Sequence, residues 1–145
     1  RIETIPPFDV QFELHQVTEP LYLFTPTIDL IWCADLRPVD SLEQQRDIAE
    51  LWNWRSRAQE LERMGVKPPK GVSFSEIIRA TAEKAYRLGG VSQIISDDFP
   101  AFGKAYVDLS PAEYALVSAI AYERYFALNW LCELTAQWEQ VTVDI

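Results

Sequence analysis

Apolar and polar positions alternate from Phe8 to Leu14. Phe8, Val10, Phe12 and Leu14 fall on one side, Asp9, Gln11 and Glu13 on the other. Period two predicts a short N-terminal strand or hairpin, half-buried. Pro6 and Pro7 stand just ahead of it, where a missing amide does little harm. From Glu19 to Pro38 the chain is largely apolar, and Pro26 breaks any long helix there. A three-and-four spacing then takes over. Ser41 with Gln44 forms a capping-box signal, and Ile48, Leu51, Trp52, Arg55, Ala58 and Gln59 share one helical face that begins apolar and turns mixed. Gly65 is the expected terminator, and Lys67 to Lys70, with Pro68 and Pro69 between, a stiff connector. A second box, Ser73 with Glu76, opens a helix whose predicted stripe is Ile77, Thr81, Ala85 and Leu88, with Phe74 and Ile78 beside it. Gly89 and Gly90 end it.

The segment from Val91 to Leu109 predicts a connector with little regular structure. A third box follows: Ser110 with Glu113, Pro111 at the first helical position, and Leu109 placed to staple Tyr114. From Ser110 to about Leu134 the wheel is apolar on nearly every face, which predicts a helix buried in protein or membrane. Glu123, Arg124, Asn129 and Glu133 interrupt it and favour protein. The β-branched tail from Gln137 predicts an extended segment lying back on the domain. These elements together predict a mainly α fold: one small helical domain over residues 1–145, built around a buried central helix, with a short N-terminal strand or hairpin. A start at Arg1 rather than methionine fits the C-terminal part of a longer domain.

Composition narrows the classes. A chain of 145 residues with 48% hydrophobic content suits a single core, and at this size roughly two thirds of the unfolded surface is buried without disulfides or metal. No apolar run reaches the ~20 residues of a membrane span, and no secretory leader is visible. The net charge of −9, without clustered Lys and Arg, argues against nucleic acid and anionic membranes. It favours solubility, or a basic protein partner. Cys33 and Cys132 belong to no CxxC pair and suit two buried thiols in a cytoplasmic protein.

Candidate chemistry is sparse, and no catalytic set, cofactor site or metal site is expected. His15 is the sole histidine, which removes most metal and nucleophile arrangements. Asp97 with Asp98, and Glu19 with Asp29 and Asp35, could serve as paired carboxylates, although turn and cap roles are commoner. The Gly103-Lys104 pair lacks the rest of a phosphate loop. The mid-helix charges Glu123 and Arg124 need partners, since an unpaired buried charge costs several kcal/mol. Arg55 is the candidate for Glu123, and Asp47 or Glu50 for Arg124. With Asn129 they make a candidate polar cluster: Arg55, Glu123, Arg124 and Asn129. Among the tryptophans, Trp52 and Trp130 are expected in the core, Trp54 and Trp138 partly exposed.

The run Glu123-Arg-Tyr-Phe-Ala-Leu-Asn-Trp-Leu131, followed by Trp138-Glu-Gln-Val-Thr-Val-Asp144, resembles the C-terminal signature of domain-of-unknown-function family 4272: an E-R-x-x-A-L-N-W-L helix and a W-D-x-V-x-x-D tail. Glu139 stands where the family has Asp. Leu36-Arg37 and the helix from Leu51 to Ala58 are similar to the family's LR and HWAxRxA segments, without the His before the first matched Trp. The resemblance spans roughly residues 30 to 145. It implies a mostly helical cytosolic protein of bacterial type, with Glu123, Arg124, Asn129, Trp130, Trp138 and Asp144 as structural hallmark, and brings no catalytic residues. The function expected first is a helical domain acting through protein contacts, immunity- or antitoxin-like in one version. The alternatives are a hydrolase or small-ligand-binding domain using carboxylates near Glu123 and Arg124, and a dimerisation module pairing through the N-terminal strand.

Overall fold

The structure is a computed structural model that describes residues 38–68, 71–133 and 140–143. The predicted N-terminal strand, His15, Cys33, the Glu19/Asp29/Asp35 group, Trp32 and Trp138 lie outside the described residues. Backbone contacts divide the chain into two compact units, Arg1–Pro38 and Val39–Ile145, and the second holds every element described below.

The fold of this unit is mainly α. Helix α1 spans Val39–Arg63, α2 Phe74–Arg87 and α3 Pro111–Glu133. Between α2 and α3 lie the two-residue strands β1 (Pro100–Ala101) and β2 (Lys104–Ala105), paired antiparallel, and a 3-10 turn at Tyr106–Asp108. The largest interface is α3 along α1; α2 meets α1 over a smaller one.

The caps set the element ends. Ser73 Oγ accepts from the Glu76 amide while Glu76 Oε2 accepts from the Ser73 amide at 2.9 Å, closing both halves of the capping box of α2. Ser110 and Glu113 repeat the arrangement before α3. Helix α1 begins two residues ahead of Ser41, so the cap expected there falls inside the first turn. Both α1 and α2 end in Schellman motifs. Gly65 and Gly89 take positive φ, their amides donate to Glu62 and Tyr86, and the next amides, of Val66 and Gly90, donate to Leu61 and Ala85.

The face predicted for α1 is buried throughout: Ile48, Leu51, Trp52, Arg55, Ala58 and Gln59. That of α2 is rotated by one position from the expected stripe. Ile78, Ala82 and Ala85 are buried, while Ile77 and Thr81 are half-buried. Helix α3 buries a single i,i+4 row of Val117, Ala121, Tyr125 and Asn129. Leu116, Tyr122 and Leu131 remain 39%, 45% and 38% exposed, and Trp130, expected in the core, also lies at the surface.

The segment from Val91 to Leu109 is the largest departure from expectation. It makes two successive two-residue hairpins. Ile95 and Asp98 bond each other in both directions around Ser96-Asp97, and Ala101 faces Lys104 around Phe102-Gly103. All four central residues have positive φ, which marks the primed turns that suit strand twist. Folding back twice drives Phe99, Ala101, Ala105, Tyr106 and Leu109 into the core. Trp52 meets the Phe99 ring edge-on at 5.0 Å, and its indole N–H donates to the Gly90 carbonyl.

Candidate functional site

The first hairpin carries the most deeply buried charge pair among the described residues. Arg55 reaches it from the middle of α1 and is wholly buried; Asp98 is 3% exposed. The guanidinium grips the carboxylate side by side, Nε to Oδ1 at 2.6 Å and Nη2 to Oδ2 at 2.7 Å. Two amides complete Asp98: Phe99 N donates to Oδ1 at 2.7 Å and Val107 N to Oδ2 at 3.0 Å. Each oxygen thus accepts two hydrogen bonds, which is what a carboxylate needs to remain charged out of water. Nη2 also donates to Gln59 Oε1 at 2.9 Å, one turn along α1.

An aromatic network backs the pair. The Arg55 guanidinium lies 4.6 Å from the centre of the Tyr106 ring. Tyr106 Oη and Ser56 Oγ are 2.7 Å apart, and Ser56 Oγ donates to the Trp52 carbonyl. Burial pushes the Tyr106 phenol up to about 12, against the opposing pull of its bond to Ser56. Tyr114 ties α3 in through a hydrogen bond from its hydroxyl to the Ser56 carbonyl.

A cleft of about 340 Å³ opens beside the pair. Helix α1 supplies Arg55 and Glu62 to its wall. Helix α2 supplies Ser75, Glu76, Ile78 and Arg79. The tight turn supplies Ser96, Asp97 and Asp98, and the 3-10 turn Val107. The wall holds four acidic and two basic residues. Asp98 is matched by Arg55. Glu76 is spent on the cap of α2, is held below the usual carboxylate range first by its Ser73 hydrogen bonds, and feels Arg79 one turn on. Glu62 and Asp97 remain exposed, with neither hydrogen-bond nor ion-pair partner among the described residues.

The four residues of the predicted polar cluster go to separate places. The carboxylate opposite Arg55 is Asp98, not Glu123. Glu123 is exposed, and neither it nor Arg124 lines the cleft. Arg124 is half-buried with no ion-pair partner among the described residues, Asp47 and Glu50 included, and burial pulls its pKa below the ordinary value. Asp47 instead meets Arg46. Asn129 is buried and donates to the Thr142 carbonyl at 3.2 Å, pinning the Gln140–Val143 stretch to α3. Asp97 and Asp98 do not act as a carboxylate pair, since the turn exposes one and buries the other. Lys104 is bound to Glu113 at 2.9 Å. No group of three or more His, Cys, Asp or Glu is placed to hold a metal ion among the described residues, and none of their helices is long and apolar enough to cross a membrane.

Sequence reasoning placed Arg55 on the right face but missed its partner. The available signal was Asp98 followed at once by Phe99-Pro100, an acid leading an apolar run, with Tyr106-Val107 just downstream to close over it. No family model, no curated protein and no solved structure matches the chain.

Proposed function

We propose that the domain acts by binding a basic protein partner, and that the acidic cleft beside Arg55 and Asp98 is where the partner docks. The observation that carries this reading is the division of labour among the cleft's carboxylates. Asp98 has every lone-pair direction occupied and serves as a clamp. Glu62 and Asp97 are exposed on the same wall, with neither hydrogen-bond nor ion-pair partner among the described residues. Solvated acids on rigid elements attract cations and steer association more than they perform proton transfer. The chain's net charge of −9 adds a long-range pull of the same sign.

The resemblance to family 4272 belongs to this proposal. It supplies a hallmark, of which Asn129 secures the tail, and a cytoplasmic setting in which Cys33 and Cys132 would stay reduced. An immunity- or antitoxin-like role, masking a basic effector, is its most specific form. The test is equilibrium binding of the full chain to basic polypeptides of defined sequence at low and high ionic strength. The expected result is a one-to-one complex that weakens as salt screens the cleft. Failure of every basic ligand to saturate at one-to-one would overturn it.

A further inference from the structure

Arg55 has one group left over. Its Nη1 is buried and donates to nothing among the described residues, although Nε and Nη2 are fully engaged. A guanidinium N–H pair closed off from water calls for an acceptor. Arg55 is one of the residues lining the cleft, which makes the cleft the side from which an acceptor can approach it. The acceptor is not an anion. The N-terminus of α2, which would otherwise attract one, already carries the Glu76 carboxylate, bound to the Ser73 amide in the capping box. Of the wall's exposed charges, Glu62 and Asp97 are negative and Arg79, beside Glu76, is positive, so the acids outweigh the base. The occupant therefore joins a neutral acceptor to a cation. The volume of about 340 Å³ suits one amino-acid residue.

From these contacts we infer that the cleft is a single-residue pocket for an Arg or Lys side chain of the partner, whose main-chain carbonyl accepts from Arg55 Nη1 while the cationic head lies between Glu62 and Asp97. This rests on the proposed function and specifies it. Backbone and side chain are recognised together, so charge alone does not suffice.

The test is an amide chemical-shift titration of the full chain with N-acetyl-arginine amide. Three comparison probes accompany it: N-acetyl-citrulline amide, which keeps the carbonyl and loses the charge; methylguanidinium, which keeps the charge and loses the carbonyl; and inorganic phosphate. The expected result is saturable binding in the millimolar range, with shifts at Arg79, Ser96, Asp97 and Val107. Citrulline and methylguanidinium should each bind about tenfold or more weakly, and phosphate should give no saturable shift. Asp97→Asn, at an exposed position outside the clamp, should weaken the arginine probe several-fold. Equal binding by citrulline or methylguanidinium, saturation by phosphate, or shifts confined to residues away from the cleft would overturn the inference. If basic polypeptides bind one-to-one while capped arginine leaves the cleft unmoved, the inference falls and the proposed function stands. If neither binds, both fall.

Discussion

At the residue scale the structure turns on one buried ion pair and what each partner needs. A buried pair is weak evidence of net stability, because desolvating two charges offsets most of their attraction. Removing one member is another matter, since it strands the other in a dry site. Asp98→Ala is therefore expected to lower stability by about 3–5 kcal/mol, read from urea unfolding at neutral pH. A loss under about 1 kcal/mol would mean that Arg55 finds water or another acceptor once Asp98 is gone. Tyr106 makes a second prediction. Its phenol is raised from 10 to about 12 in the fold, so its contribution is intact below pH 10 and is lost as pH climbs toward 12. Tyr106→Phe should flatten that alkaline limb, at a neutral-pH cost of about 1 kcal/mol for the lost Ser56 hydrogen bond. An unchanged alkaline limb would count against the buried, neutral phenol.

At the element scale, legibility depended on whether a signal was local. The Ser73–Glu76 and Ser110–Glu113 boxes, and the glycine stops at Gly65 and Gly89, are written within a few residues and reappear as hydrogen bonds. The Arg55 face of α1 was legible because its three-and-four spacing survives a polar member. The α2 stripe was displaced by one position because Ala82 is an unobtrusive core residue. Segment 91–109 was illegible because Ser96 and Phe102 are ordinary side chains in a left-handed conformation that usually announces itself through Gly, Asn or Asp. The Arg55–Asp98 pairing joins residues 43 apart, and nothing local encodes it. The turn assignment yields its own prediction. Ser96→Asn places a residue suited to positive φ at an exposed site and should raise stability by roughly 0.5–1 kcal/mol, whereas a clear loss in thermal unfolding would contradict that backbone. The cap of α3 gives a pH counterpart. Glu113 is lowered from its ordinary 4.5 to about 2, first by Lys104 and then by Ser110. Its contribution is present above pH 4.5 and disappears as pH falls toward 2. Glu113→Gln should therefore remove part of the acid limb of the stability profile.

At the scale of the whole molecule, the three helices and the pair of tight hairpins among the described residues hold an acidic opening over a neutralised buried pair. The mainly α architecture followed from periodicity, but the place where its chemistry gathers did not. Charges interrupting an apolar wheel pointed to α3. The structure leaves Glu123 in water and concentrates polar contacts where α1, α2 and the first hairpin converge. What separates a binding site from a generally acidic surface is position, and position can be tested at constant net charge. The most direct measurement compares the affinity of an oligo-arginine peptide for the full chain, for Glu62→Gln with Asp97→Asn, and for Glu50→Gln with Glu83→Gln, two exposed acids outside the cleft. Both double variants lose the same two charges. The cleft pair should cost about tenfold in affinity, roughly 1.4 kcal/mol, and the control pair less than about twofold. Equal losses from the two variants would show that net charge alone attracts the peptide, and would contradict the cleft as the docking site.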